Sequence, residues 1–144
     1  MRFEIIEINI EIPVSFIALR SSLSVAFDVE QNKILENTKY WCLENTAGYL
    51  GVELMQGERP FQTFAVVNAE PALERNVNSV GQVLAKELSC KVTLPHPYDG
   101  AERDRDSSKL LIFHPDGRRF VGYGDQIERD FEIILISEAK YCEK

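Results

Sequence analysis

Acid–base, metal and nucleophilic chemistry all need particular side chains at workable spacing, and this chain holds few of them. Its two histidines lie in Pro95-His96-Pro97-Tyr98-Asp99-Gly100 and Phe113-His114-Pro115-Asp116-Gly117, each with an aspartate two or three residues later. Brought together, His96, Asp99, His114 and Asp116 make a mixed nitrogen and oxygen donor set suited to a divalent transition metal. The spacing matches no His-Glu-x-x-His pair on a helix. Aspartates are also favoured in turns for local reasons, because they hydrogen-bond their own backbone. The expectation is therefore no metal and no other cofactor, with these four residues as the candidates should one be bound.

Nucleophilic arrangements are weaker. No Gly-x-Ser-x-Gly elbow occurs, and Ser21-Ser22, Ser79 and Ser107-Ser108 have no histidine near them in sequence. Cys42, Cys90 and Cys142 are widely spaced, odd in number and without a Cys-x-x-Cys pair. That pattern predicts reduced thiols packed as small hydrophobes, and hence a cytoplasmic protein. Gly122-Tyr123-Gly124-Asp125 is glycine-rich but has neither the lysine nor the following helix of a phosphate loop, so it reads as a strand end or bulge.

Recognition residues are more numerous. Residues 95–109 form a stretch of about 15 residues without hydrophobic pattern, a length that is uncommon in compact domains unless functional or disordered. It interleaves Asp99, Glu102, Asp104 and Asp106 with Arg103, Arg105 and Lys109. Mixed charge of this kind suits a protein partner better than an extended polyanion. Tyr98 adds an aromatic anchor, and Arg118-Arg119 adds guanidinium groups able to hold a carboxylate or phosphate. Tyr40, Trp41, Tyr49 and Tyr123 also fall near expected turns or strand ends, where aromatic side chains favour interfaces.

The whole-chain balance narrows the partner. Net charge is −7, with 23 acidic against 16 basic side chains in 144 residues. The acidic excess is three over residues 1–50 and two over each of 51–100 and 101–144, so no charged tail stands apart. A nucleic-acid binder must neutralise phosphates with a basic patch, so none is expected as partner. No apolar run approaches the roughly 20 residues needed to span a bilayer, and the acidic N-terminus is unlike a secretory signal. Together these features predict an acidic protein-binding module, of the kind represented by an inhibitor or immunity protein that neutralises a basic toxin nuclease. The alternatives are a small-molecule-binding or sensory domain, and behind it a metal-dependent hydrolase built on the two histidines.

The elements that must position these residues read as one α+β domain over 1–144. The expected architecture is a mostly antiparallel sheet of about six to eight strands, with one main amphipathic helix, about 70–88, packed on a face. Ile6, Ile8, Ile10 and Ile12 alternate with polar residues and predict a half-buried strand. Phe3 and Ile5, on the opposite parity, predict a bulge near Ile5-Ile6 or a second covered face. If this strand lies at an edge, its backbone is free to recruit a second chain. Leu23, Val25, Phe27 and Val29 alternate again and predict a second strand.

Residues 33–45 read as either helix or strand, with a hairpin of 39–44 and 49–55 turning at Asn45-Thr46-Ala47-Gly48 preferred. After a loop at 56–60, Phe61–Val67 is a strand. Leu73, Val77, Val80, Leu84 and Leu88 then form the one apolar stripe at helical spacing. Gly81 interrupts that helix at a cost of about 1 kcal/mol relative to alanine, for which close packing on a sheet is a reason. Lys91–Leu94, 109–123 as a hairpin through Pro115-Asp116-Gly117, and Ile133–Ile136 complete the strands.

Overall fold

The computed structural model describes residues 4–57, 61–69, 77–95, 109–127 and 130–138. Eight strands form one sheet: β1 (Glu4–Ile10), β2 (Ile34–Glu36), β3 (Leu50–Gln56), β4 (Thr63–Ala69), β5 (Val92–Pro95), β6 (Lys109–Phe113), β7 (Arg119–Ile127) and β8 (Asp130–Glu138). Their order is β2-β3-β4-β1-β5-β6-β7-β8. Every neighbouring pair is antiparallel except β2 and β3, which run parallel. Three α-helices accompany them: α1 (Phe16–Phe27), the single-turn α2 (Asn37–Tyr40) and α3 (Val77–Leu88). The α+β class and the mostly antiparallel sheet are as the sequence predicts.

Alternation in β1 divides the molecule. Ile8 and Ile10 are fully buried, whereas Ile5 and Glu7 are exposed. The inner face of the sheet adds Leu50, Val52, Ala65, Val67, Val92, Leu94, Leu111 and Phe113 to the core. Against it lie α1, through Leu19, Leu23, Ala26 and Phe27, and α3, through Val80, Leu84 and Ala85. The two helices also touch each other. Helices and sheet thus share one continuous core on one side.

α1 overturns the predicted strand at 23–29. Leu23 and Phe27 are four apart, a spacing that satisfies a period of 2 and a period of 3.6 alike. Leu19 and Ala26 settle the period, because both are buried while Val25 is exposed. Ser15 starts the helix by accepting the Ala18 N–H on its Oγ at 3.2 Å, an N-cap that satisfies one of the otherwise orphaned first-turn donors. Asp28 ends it in the left-handed conformation at φ 57°. A second 12-residue helix, α1, thus joins the expected α3 on the sheet.

Three further expectations are corrected. Residues 39–44 are not a hairpin arm: α2 and a turn occupy them, and β3 pairs instead with β2 (Ile34↔Leu50, Glu36↔Val52). Only its second arm, 49–55, corresponds to a strand. No bulge interrupts β1, whose register with β4 runs unbroken from Glu4↔Ala69 to Ile10↔Thr63. Nor is β1 an edge, since it lies between β4 and β5.

The hairpin of β6 and β7 forms as expected, with Gly117 at φ 99° in its turn, a backbone region that glycine enters without steric cost. A register shift at Val121/Gly122 places a bulge at the glycine-rich stretch. Of the expected 70–88 helix, residues 70–76 lie outside the described residues. No described helix is long and apolar enough to cross a membrane.

Candidate functional site

Among the described residues, the side of the sheet away from α1 and α3 carries the clearest open surface. On β3, β4 and β1 the cross-strand registers place nine residues there in three rows: Gly51–Asn68–Ile5, Glu53–Val66–Glu7 and Met55–Phe64–Asn9. Strand alternation turns all nine to the same face. Among them are two glutamates and four large apolar side chains, and no lysine or arginine. Ile5 is 62% exposed, Met55 is 41% exposed, and Phe64 and Val66 are half-buried. Glu7 and Glu53 flank Val66 from its two neighbouring strands, so their backbones are roughly 10 Å apart, two strand spacings. Farther along the same face, Asn9 Nδ2 donates to Thr93 Oγ1 at 3.0 Å, and Thr93 and Ile112 are buried.

α2 walls one end of this surface. The Tyr40 ring lies over Gly51, where a Cβ would come within 2.4 Å of the ring, so only glycine admits the helix at that height. Asn68 Nδ2 donates to Asn37 Oδ1 at 2.9 Å and ties the same turn to β4. Tyr40 is fully buried and meets Trp41 edge-on, with centroids 5.0 Å apart, while Trp41 remains 53% exposed.

A cleft of about 380 Å³ opens beside Trp41, lined by Phe16, Glu36, Asn37, Thr38, Trp41, Val52, Glu53 and Leu54. Its charged residues are both glutamates. A second cleft, of about 460 Å³, shares Phe16 and Glu36 with the first and includes the cations Arg20 and Lys39 with Ile17.

Of the residues singled out from the sequence for binding or metal, those the structure describes fall elsewhere. Tyr98, Asp99, Glu102, Arg103, Asp104, Arg105 and Asp106 lie outside the described residues, as does His96. Arg118 is exposed and paired to Asp116, its Nε donating to Oδ2 at 2.9 Å. Arg118 N–H also donates to Asp116 Oδ1. Those contacts, the backbone N–H first, hold the Asp116 carboxyl below its ordinary range. Arg119 begins β7, half-buried.

His114 packs edge-on against Phe120, with centroids 4.8 Å apart, and its Nε2 is buried without a hydrogen-bond partner among the described residues. Burial, with the Arg118 and Lys91 cations nearby, holds the imidazole below its ordinary value. Asp116 thus serves the turn and Arg118. Among the described residues no three His, Cys, Asp or Glu side chains gather as metal ligands.

Cys90 is buried and its thiol is pushed up by that burial, but Cys42 is exposed, against the expectation of a packed thiol. Sequence reading flagged Trp41 as an interface aromatic and missed the open sheet face. The signal was present in Glu7, on the polar parity of β1, but which strands flank it is a long-range fact. No protein-family model matches the chain, and no curated protein or solved structure matches it.

Proposed function

We propose that this chain is an acidic protein-binding module whose partner is a basic protein, of the class that an inhibitor or immunity protein neutralises. The observation that carries the reading is the open face of β3-β4-β1: apolar Ile5, Met55, Phe64 and Val66 interrupted by Glu7 and Glu53, with no cation among its nine residues. Apolar contact area with charge of one sign is the composition of a specific docking patch, where burial supplies affinity and complementary charge supplies rate and register. Trp41 at its end is the residue type that most often dominates such interfaces. The net charge of −7 adds a long-range attraction to the same class of partner.

The test compares wild-type protein with the Glu7→Lys/Glu53→Lys double variant, each immobilised and exposed to host lysate at low and high salt. A stoichiometric basic protein should be retained by the wild type and lost from the double variant, with association slowed about tenfold when the purified pair is measured. Retention of the same proteins in equal amounts by both would refute the reading.

A further inference from the structure

β2 covers only the beginning of β3. It pairs Ile34, Leu35 and Glu36 with Leu50, Gly51 and Val52, after which the chain turns away into α2. β3 continues for four residues, Glu53 to Gln56, paired to β4 on one side (Glu53↔Val66 to Gln56↔Thr63). Among the described residues no strand pairs their other side.

The Gly57 N–H donates to the Gln62 carbonyl at 2.8 Å, which sets the alternation along this antiparallel pair. Odd-numbered residues of β3 exchange bonds with β4, and even-numbered ones aim N–H and C=O at the opposite edge. Leu54 and Gln56 therefore present two donors and two acceptors where β2 has stopped. The 380 Å³ cleft sits at this gap, walled by Phe16, Trp41 and Leu54, and its charged residues are Glu36 and Glu53.

We infer that the β3 edge beyond Glu36 takes an extended segment of the basic partner as an added strand, with a lysine or arginine side chain entering the cleft. Strand addition matches backbone groups that are already aligned. The cleft then reads the side chain. Its apolar walls suit an aliphatic stem, the Trp41 ring suits a cation held over its face, and Glu36 with Glu53 supplies the opposite charge. The cleft excludes an acidic segment on the same grounds. This inference rests on the reading of the chain as a binder of basic protein and shares Glu53 and Trp41 with it, but it adds Glu36 and the outward β3 backbone, which that reading does not use.

The probe is a capped hexapeptide alternating valine and lysine, titrated into the full-length ¹⁵N-labelled protein. Saturable shifts are expected at the Leu54 and Gln56 amides and at the Trp41 indole N–H. Gln56→Pro removes one outward N–H, leaves the bonds to β4 and changes an exposed side chain. It should weaken binding at least tenfold, as should Glu36→Gln and N-methylation of alternate peptide amides. Equal binding by Gln56→Pro or by the N-methylated peptide would overturn strand addition. So would no saturable shift, or equal binding of a valine–glutamate hexapeptide. Concentration-dependent shifts at Leu54 and Gln56 without peptide would assign the edge to a second copy and overturn the stated occupant. A lysate partner lost on Glu7→Lys but kept in full by Gln56→Pro would uphold the open-face reading and overturn this one, so the two failures are distinguishable.

Discussion

At the scale of single residues, His114 shows how a side chain with chemical potential is spent on structure. Its Nε2 is buried without a partner, its ring packs on Phe120, and its backbone carbonyl accepts the Gln82 Nε2–H at 3.2 Å. The folded state thus favours neutral imidazole, and its value lies below the ordinary 6.5. The sign follows from linkage: between the lowered folded value and 6.5 the unfolded chain binds more protons, so stability rises with pH across that window. The contribution is complete above 6.5 and lost as pH falls toward the folded value. Urea midpoints compared between wild type and His114→Phe should diverge with pH only below about 6.5, the variant losing less stability on acidification. Parallel curves would show that His114 titrates alike folded and unfolded. Asp116, two residues on, was attractive as a ligand in sequence and is held by the Arg118 backbone and guanidinium instead. Both contacts are local, made by one residue across the turn.

At the scale of elements, α3 and β6 meet where glycine is required. A Cβ on Gly81 would lie 2.1 Å from the Phe113 ring, which is itself fully buried. Helix propensity favours alanine there by about 1 kcal/mol, but overpacking a filled core costs about 1–3 kcal/mol. With Phe113 enclosed, the contact outweighs propensity. Gly81→Ala should therefore lower stability by up to about 2 kcal/mol net, read as a reduced urea midpoint at unchanged slope. A raised midpoint would show that the ring moves freely. That the helix would pack closely on a sheet was legible from a glycine inside an apolar stripe. That Phe113 would be the ring beneath it was not, because 32 residues of sequence separate them. α1 was misread for a related reason: apolar positions four apart fit both a strand and a helix, and only the partner surface selects between them. The turn after β1 is likewise fixed from afar, by Thr63 Oγ1, which accepts the Val14 N–H and donates to the Ile12 carbonyl.

At the scale of the whole molecule, α1 and α3 pack on one side of the sheet, while among the described residues the other side of β3-β4-β1 is covered by α2 at one end and open beyond it, and that asymmetry produces the candidate interface. An acidic chain bearing a one-signed patch should associate at a rate that falls steeply with ionic strength. Raising salt from about 0.05 M to 0.5 M should slow association with a basic partner at least tenfold, with a smaller effect on dissociation. Stopped-flow mixing of the purified pair checks this, and a salt-independent rate would remove long-range charge from the mechanism.

What the sequence determined by itself was the inventory: an α+β chain, the parity of β1, the α3 stripe, the β6–β7 hairpin with its glycine turn, and an acidic net charge. Those are local or additive properties, set by periodicity, turn chemistry and charge count. What only the tertiary structure decided was adjacency. Glu7 and Glu53 are 46 positions apart in sequence and become neighbours across Val66 because β1 and β3 both pair with β4. The gap beside Leu54 and Gln56 exists because β2 ends at Glu36 and the chain turns into α2 over Gly51. Strand order depends on which apolar faces bury best together, a property of all the elements at once, and no stretch of sequence contains it.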